Sequence, residues 1–228
     1  MKILYFFKLT LAVYFQLYSF NMFCQNKSID KVFQEKKGFL QVEAEDFYKQ
    51  TNSEIRKWYV IDVNFKTEIK DADDSHTDTA SGSKYIEILP DTRQTHDDKL
   101  VQGENFTGNT GTMAVVHYKV KINTPGRYYV WAKAFSTGSE DNGLHVGLDG
   151  NWPESGRRMQ WCEGKRSWFW DSKQRTEEVH CGVPYQIYLD INKAGEHDIQ
   201  FSMREDGFEM DQWLMTTDKN YNPRNDLK

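Results

Sequence analysis

The chain has 228 residues, 38% hydrophobic, 14% aromatic and 28% charged, with a formal net charge of −5. That length suits one domain of ordinary size, and the aromatic content argues for a packed core rather than disorder. The acidic balance argues against nucleic acid or an anionic membrane as partner, while leaving local Arg and Lys free to meet acidic glycans.

Residues 1–25 are an apolar, aromatic run carrying Lys2 and Lys8 and no acidic residue. This is the pattern of a secretory signal peptide ending near Cys24-Gln25, and its removal makes the chain more acidic by two charges. The alternatives are a retained anchor, because the run is long, and lipidation at Cys24, which Asn21-Met22-Phe23 disfavours for want of a small residue. The expected location is secreted, periplasmic or cell-surface, with no membrane insertion after signal removal. Residues 26–37 read as a flexible polar lead-in, 38–218 as the domain and 219–228 as a polar tail.

Within the domain the period is that of strands. Segments 38–47, 57–62 and 84–89 come first, with a polar loop at 66–83. A long loop at 90–112 carries His96, Asp97 and Asp98, and loops of this length are often functional. Val116, Tyr118, Val120 and Ile122 alternate with polar residues, Thr124-Pro125-Gly126 reverses the chain, and Tyr128, Val130, Ala132 and Ala134 alternate again. Val120, Ile122, Gly126, Tyr128 and Val130 are echoed by Leu189, Ile191, Gly195, His197 and Ile199. Leu144, Val146 and Leu148 form a further strand after the loop at 136–143. Ile199, Phe201 and Met203 alternate inward, Asp206-Gly207 permits a tight reversal, and Met210 and Leu214 are expected to share the buried face of the returning strand. No segment has helical periodicity, so the predicted fold is all-β, an antiparallel β-sandwich.

Residues 151–184 hold Trp152, Trp161, Trp168 and Trp170, four of the seven tryptophans, together with six basic residues. Cys162 and Cys181 fall in the same segment. An isolated pair in an exported chain reads as one disulfide, worth roughly 3 kcal/mol on the chain-entropy model; the alternative is two free thiols. No CxxC spacing supports zinc.

The opening Glu43-Ala44-Glu45-Asp46-Phe47, the Ala80-Ser81-Gly82-x-x-Tyr85-Ile86 entry to a strand, and the closing Gly195-x-His197-x-Ile199 segment with Asp211 resemble carbohydrate-binding modules of families 6 and 35. The closing segment also looks like the C-terminal module of family 115 glycoside hydrolases. Ser83 stands where a second Gly is usual. The resemblance covers roughly 38–218. It implies a galactose-binding-like β-sandwich (jelly roll), non-catalytic binding of a polysaccharide or oligosaccharide, and a structural calcium held by Glu43, Glu45 and Asp211. Such hard oxygen donors suit calcium. In those modules a Trp before the last strands flanks the sugar, a place that Trp168 or Trp170 fits best, with Trp161 next.

If simple hairpins join the strands, the loops 90–112, 136–142 and 204–208 share one end. That end would gather His96, Asp97, Asp98, Asp141, Asn142, Arg204, Glu205 and Asp206 beside the tryptophans, as a saccharide site. Two other function classes remain. One is a protein-interaction or structural module of the envelope. The other is a glycan hydrolase or lyase, for which Glu140, Asp141, Glu205 and Asp206 supply carboxylates; no nucleophile elbow, HExxH or phosphate loop is present.

Overall fold

A computed structural model describes residues 31–226. The signal-like segment 1–25 and the start of the lead-in lie outside the described residues. Among the described residues no helix is long and apolar enough to cross a membrane.

The elements are β1 (Phe33–Gln34), β2 (Phe39–Glu43), β3 (Lys49–Thr51), β4 (Lys57–Asp62) and β5 (Lys84–Leu89). The long central strands follow: β6 (Val115–Ile122), β7 (Gly126–Phe135) and β8 (Gly143–Leu148). Short strands β9 (Met159–Gln160), β10 (Phe169–Asp171), β11 (Lys173–Gln174) and β12 (Val183–Pro184) cross the aromatic segment. The chain closes with β13 (Tyr188–Ile191), β14 (Gly195–Met203) and β15 (Glu209–Thr216). These form two sheets. The first runs β1-β6-β14-β8-β9-β11-β12, with β3 also on β6; the second runs β10-β7-β15-β5-β4, with β13 also on β7 and β2 on β15. All pairings except β1–β6 are antiparallel. The fold is the expected all-β sandwich.

Its connections differ from the hairpins expected from sequence. β6 and β7 lie in different sheets, and so do β14 and β15, so each reversal crosses the sandwich. A crossing reversal still inverts strand direction, which is why β5, β7 and β14 run the same way and their following loops do share an end. The echoed residues prove to be partners. Val120 pairs with His197 and Ile122 with Gly195 in the first sheet, while Gly126 pairs with Ile191 and Tyr128 with Leu189 in the second. Two similar corner-turning units therefore pack against each other.

Between the sheets, Trp58, Tyr118, Phe201, Phe208 and Trp213 form a fully buried aromatic centre, joined by edge-on contacts such as Tyr118–Trp213 at 5.0 Å. Ile199, Phe201 and Met203 point inward as expected. In β15 the phase differs from the expectation. A register shift between Met210 and Gln212 inserts one extra residue, so Met210, Trp213 and Met215 face the core while Leu214 packs outside it. A β-bulge changes which residues share a face, and simple alternation cannot show it.

The ordered fold exceeds 38–218 on both sides. Phe33 and Gln34 pair with β6, and buried Glu35 accepts hydrogen bonds from Asn123 N (2.7 Å) and Thr124 N (2.9 Å), so this part of the lead-in is fixed. In the tail, Arg224 Nε donates to Trp170 O at 2.7 Å and its guanidinium lies 4.2 Å from the Phe169 ring centroid.

Candidate functional site

The loops after β5, β7 and β14 do meet. Thr107 N donates to Arg204 O (2.8 Å), Asp206 N to Asn105 O (3.1 Å), and Ser139 N to Gln94 O (2.9 Å). Most of the polar residues expected to face a sugar there are turned inward. Asp141 accepts from Ser136 Oγ (2.8 Å), Thr137 N (2.7 Å) and Gly138 N (2.9 Å). Asn142 donates to Ser139 O. Arg204 pairs with Glu205, which also accepts from Asn142 N at 3.0 Å. Asp206 accepts from Arg56, Thr92 N and Thr92 Oγ1. Asp141, Asn142, Arg204, Glu205 and Asp206 are all buried. The reason is local: three loops without a ladder leave backbone N–H groups that need acceptors, and the Asp141, Glu205 and Asp206 carboxylates supply them. Glu140 is likewise engaged, by Arg93 at 2.5 Å. His96 and Asp97 remain on the surface with side chains 79% and 88% exposed, and Asp98 caps its own loop through Thr95 N at 2.9 Å.

The tryptophans separate in the same way. Trp161 is 1% exposed in the central core, with Nε1 donating to Phe169 O at 3.0 Å. Trp170 is 4% exposed, packed with Trp131 and Leu214 on the outer side of the second sheet. Neither ring is open for stacking, which corrects the expectation for both. Trp168 is partly exposed and rigidly held, edge-on to Tyr85 (5.2 Å) and Phe135 (5.5 Å). Cys162 and Cys181 carry free thiols, so the expected disulfide is not formed in this structure. Burial foremost, and then the neighbouring Cys181, pushes the Cys162 thiol up to about 12.

Of the residues expected to hold calcium, Glu43 and Asp211 are joined through Ser81. Glu43 Oε1 accepts from Ser81 Oγ (3.1 Å) and Gln212 Nε2 (2.7 Å), while Asp211 Oδ1 accepts from Ser81 N (2.9 Å). Glu45 is pushed up to about 7, mainly by burial and then by Glu43, Asp46 and Asp211. Glu43 Oε2 and Glu45 Oε2 are buried without a hydrogen bond from the protein, but the ligand atoms of Glu43, Glu45 and Asp211 do not all lie within 4.8 Å of one another. Lys133 Nζ already stands 2.7 Å from Asp211 Oδ2, so a cation there shares that carboxylate with an ammonium.

What sequence reasoning missed lies on the outer side of the second sheet. The loop 66–83, read only as a surface loop, folds over β5 and β15. Its His76 stacks on Phe135 with centroids 3.5 Å apart, while His76 Nδ1 meets Glu209 Oε1 at 2.8 Å. Burial lowers the His76 pKa. Thr137 Oγ1 donates to Asp73 of the same loop. Beside this cluster opens a wide cleft of about 810 Å³, lined by Ile61, Phe65, Lys66, Lys70, Asp71 and Asp78 among others. Its Ile61 belongs to a buried cluster with Tyr85 and Leu89, against which Phe65 and Trp168 pack; Trp168 itself is not part of the cleft lining. The only sequence signal was the density of Asp and His in 66–83, and nothing in the period tied that loop to the two glutamates.

No protein-family profile matches the chain. An uncharacterized protein, P23, of Formosa agariphila is 60% identical over 193 residues, 84% of this chain and 47% of that protein. The chain thus spans about half the length of this curated relative. Similar solved structures include a family 35 carbohydrate-binding module from Clostridium thermocellum (14% identity, 78% of this chain and 96% of that one, TM-score 0.43). Another is the C-terminal family 6 module of a marine laminarinase, LamC, from Zobellia galactanivorans (10% identity, 78% and 99%, TM-score 0.40). A third is the Podospora anserina β-(1,4)-mannanase with a family 35 module (12% identity, 82% and 29%, TM-score 0.43). The family 115 resemblance rests on the sequence motif alone.

Proposed function

We propose that this chain is a non-catalytic carbohydrate-binding module that docks a polysaccharide or oligosaccharide beside Trp168, outside the cell or at its surface, with a structural calcium at Glu43, Glu45 and Asp211. The observation that carries the reading is Trp168: a partly exposed indole held by Tyr85 and Phe135, packed on the same apolar cluster as Phe65, which lines a broad cleft with both Lys and Asp on its walls. A fixed aromatic face stacks on the C–H face of a sugar ring at little entropic cost, and the flanking charges exchange hydrogen bonds with hydroxyls. The carboxylates considered for hydrolysis favour this reading too. Glu140, Glu205 and Asp206 are engaged by Arg93, Arg204 and Arg56, and Asp141 by the hydroxyl and N–H groups of its own loop.

A glycan array with algal galactans, alginate and xylans, run with and without calcium, identifies the ligand. Calorimetric titration then compares the parent with Trp168→Ala and Phe65→Ala, each checked for folding. Loss of the Trp168 ring is expected to weaken binding by about 1–3 kcal/mol. Unchanged affinity in both variants places the sugar elsewhere, with the outer face of the first sheet as the next candidate. Release of reducing ends or of an unsaturated product overturns the non-catalytic reading.

A further inference from the structure

Glu87 and Glu209 are direct cross-strand partners, and the same register row continues from Glu209 to Phe135. Both glutamates are 1% exposed. Like charges facing each other across two strands are destabilising even on an open sheet, and burial makes the repulsion larger. Neither carboxylate oxygen of Glu87 touches solvent or receives a hydrogen bond from the protein. Such a group calls for a partner that the side chains around it do not supply.

The loop 66–83 brings more donors of the same kind. Ligand atoms of Asp73, His76 and Glu209 lie within 4.8 Å of one another, as do those of Asp71, Asp73 and Glu87. Asp73 belongs to both groups, so the two triads adjoin, one at each glutamate.

We propose that Glu87, Asp73 and Asp71 form a binding site for one divalent cation, with the His76–Glu209 pair adjoining it through Asp73. The unpartnered, sealed Glu87 carboxylate is the observation that turns an acidic cluster into a site. Three carboxylates suit Ca²⁺ or Mn²⁺. Access is through Asp71, which is exposed and also lines the cleft. The bound ion ties the loop 66–83 to β5 and so fixes one wall of that cleft. This site is separate from Glu43, Glu45 and Asp211, and it does not rest on the carbohydrate reading.

The test is calorimetric titration of EDTA-stripped protein with Ca²⁺, Mn²⁺ and Zn²⁺, with the free Mn²⁺ paramagnetic resonance signal as a second readout. The full-length protein is expected to bind at least one of the three. Glu87→Gln is expected to weaken that binding by at least about tenfold, and Asp73→Asn, a change on the covering loop, by a similar factor. Should Glu87→Gln fail to fold, Asp73→Asn decides alone. Glu45→Gln, in the other proposed calcium site, removes at most that site's heat and leaves the binding that Glu87→Gln weakens. Absence of binding by all three ions, parent-like affinity in the folded variants, or loss of all binding in Glu45→Gln overturns the proposal.

Discussion

Arg56 Nη2 lies 3.0 Å from Asp206 Oδ2, joining residues 150 apart in sequence across the loop end of the sandwich. The same oxygen accepts from Thr92 N at 2.9 Å and Thr92 Oγ1 at 2.7 Å, so one buried carboxylate fixes three segments. Removing the guanidinium leaves that carboxylate in a buried place with one ionic partner fewer. Arg56→Ala is expected to cost about 3–5 kcal/mol of stability, read from urea unfolding. A change within about 0.5 kcal/mol of the parent, the level of an ordinary surface substitution, shows that the pair does not hold the loop end together.

Trp161 and Trp168 are predicted to separate stability from binding. Trp161 fills the core against Phe208, with ring centroids 5.0 Å apart. Trp161→Ala should therefore lose about 3–5 kcal/mol of stability. Trp168→Ala opens no sealed cavity and should lose distinctly less. Equal losses in denaturant titrations sink the distinction.

Asp91 makes stability depend on pH. It is 1% exposed, and its carboxyl is pushed up to about 7, chiefly by burial and next by the Asp206 charge. In the unfolded chain an aspartate ionises near about 4. Between about 4 and about 7 the folded protein therefore holds a proton that the unfolded chain has released. The stability contributed by the protonated group is complete below that window and is lost as pH rises through it. Asp91→Asn keeps the acceptor for Arg93 N, which lies 3.2 Å from Oδ1, and does not titrate. Relative to the parent, its stability should rise between pH 4 and 8 by on the order of 2–4 kcal/mol. Parallel pH profiles for the two proteins would contradict the assignment.

The two cysteines are predicted to react unequally. Cys181 is exposed and Cys162 half-buried, with the Cys162 thiol raised by burial and by its neighbour. Since the thiolate is the nucleophile, protein purified under reducing conditions should show two thiols, with Cys181 alkylated first at pH 8. Equal rates, or a single titratable thiol, would show a different arrangement.

Strand positions were legible because a half-buried strand repeats every two residues whatever it pairs with. Ile86 and Ile88, Val116 to Ile122, and Ile199 to Met203 all face the core as their alternation requires. The shared end of three loops was legible too, since it depends only on strand direction. The facing of Leu214 was not, because the bulge at Met210/Gln212 adds a residue that alternation cannot count. Nor were the roles of Trp161, Trp170, Asp141 and Asp206. Aromatic or acidic residues in a loop-rich segment read alike whether they meet solvent or satisfy the loops themselves, and only packing tells them apart.

By itself the sequence determined an acidic, all-β chain and the places of its long strands. These follow from composition and from a period of two. Only the tertiary structure decided that β6 and β7, and β14 and β15, cross between sheets, because either pairing satisfies the same apolar pattern. Only the tertiary structure set Glu87 opposite Glu209 beneath Asp71, Asp73 and His76. That meeting joins residues far apart in sequence, each unremarkable in its own segment. What makes them a site is cross-strand register together with the burial imposed by a covering loop, and neither is written in any local pattern.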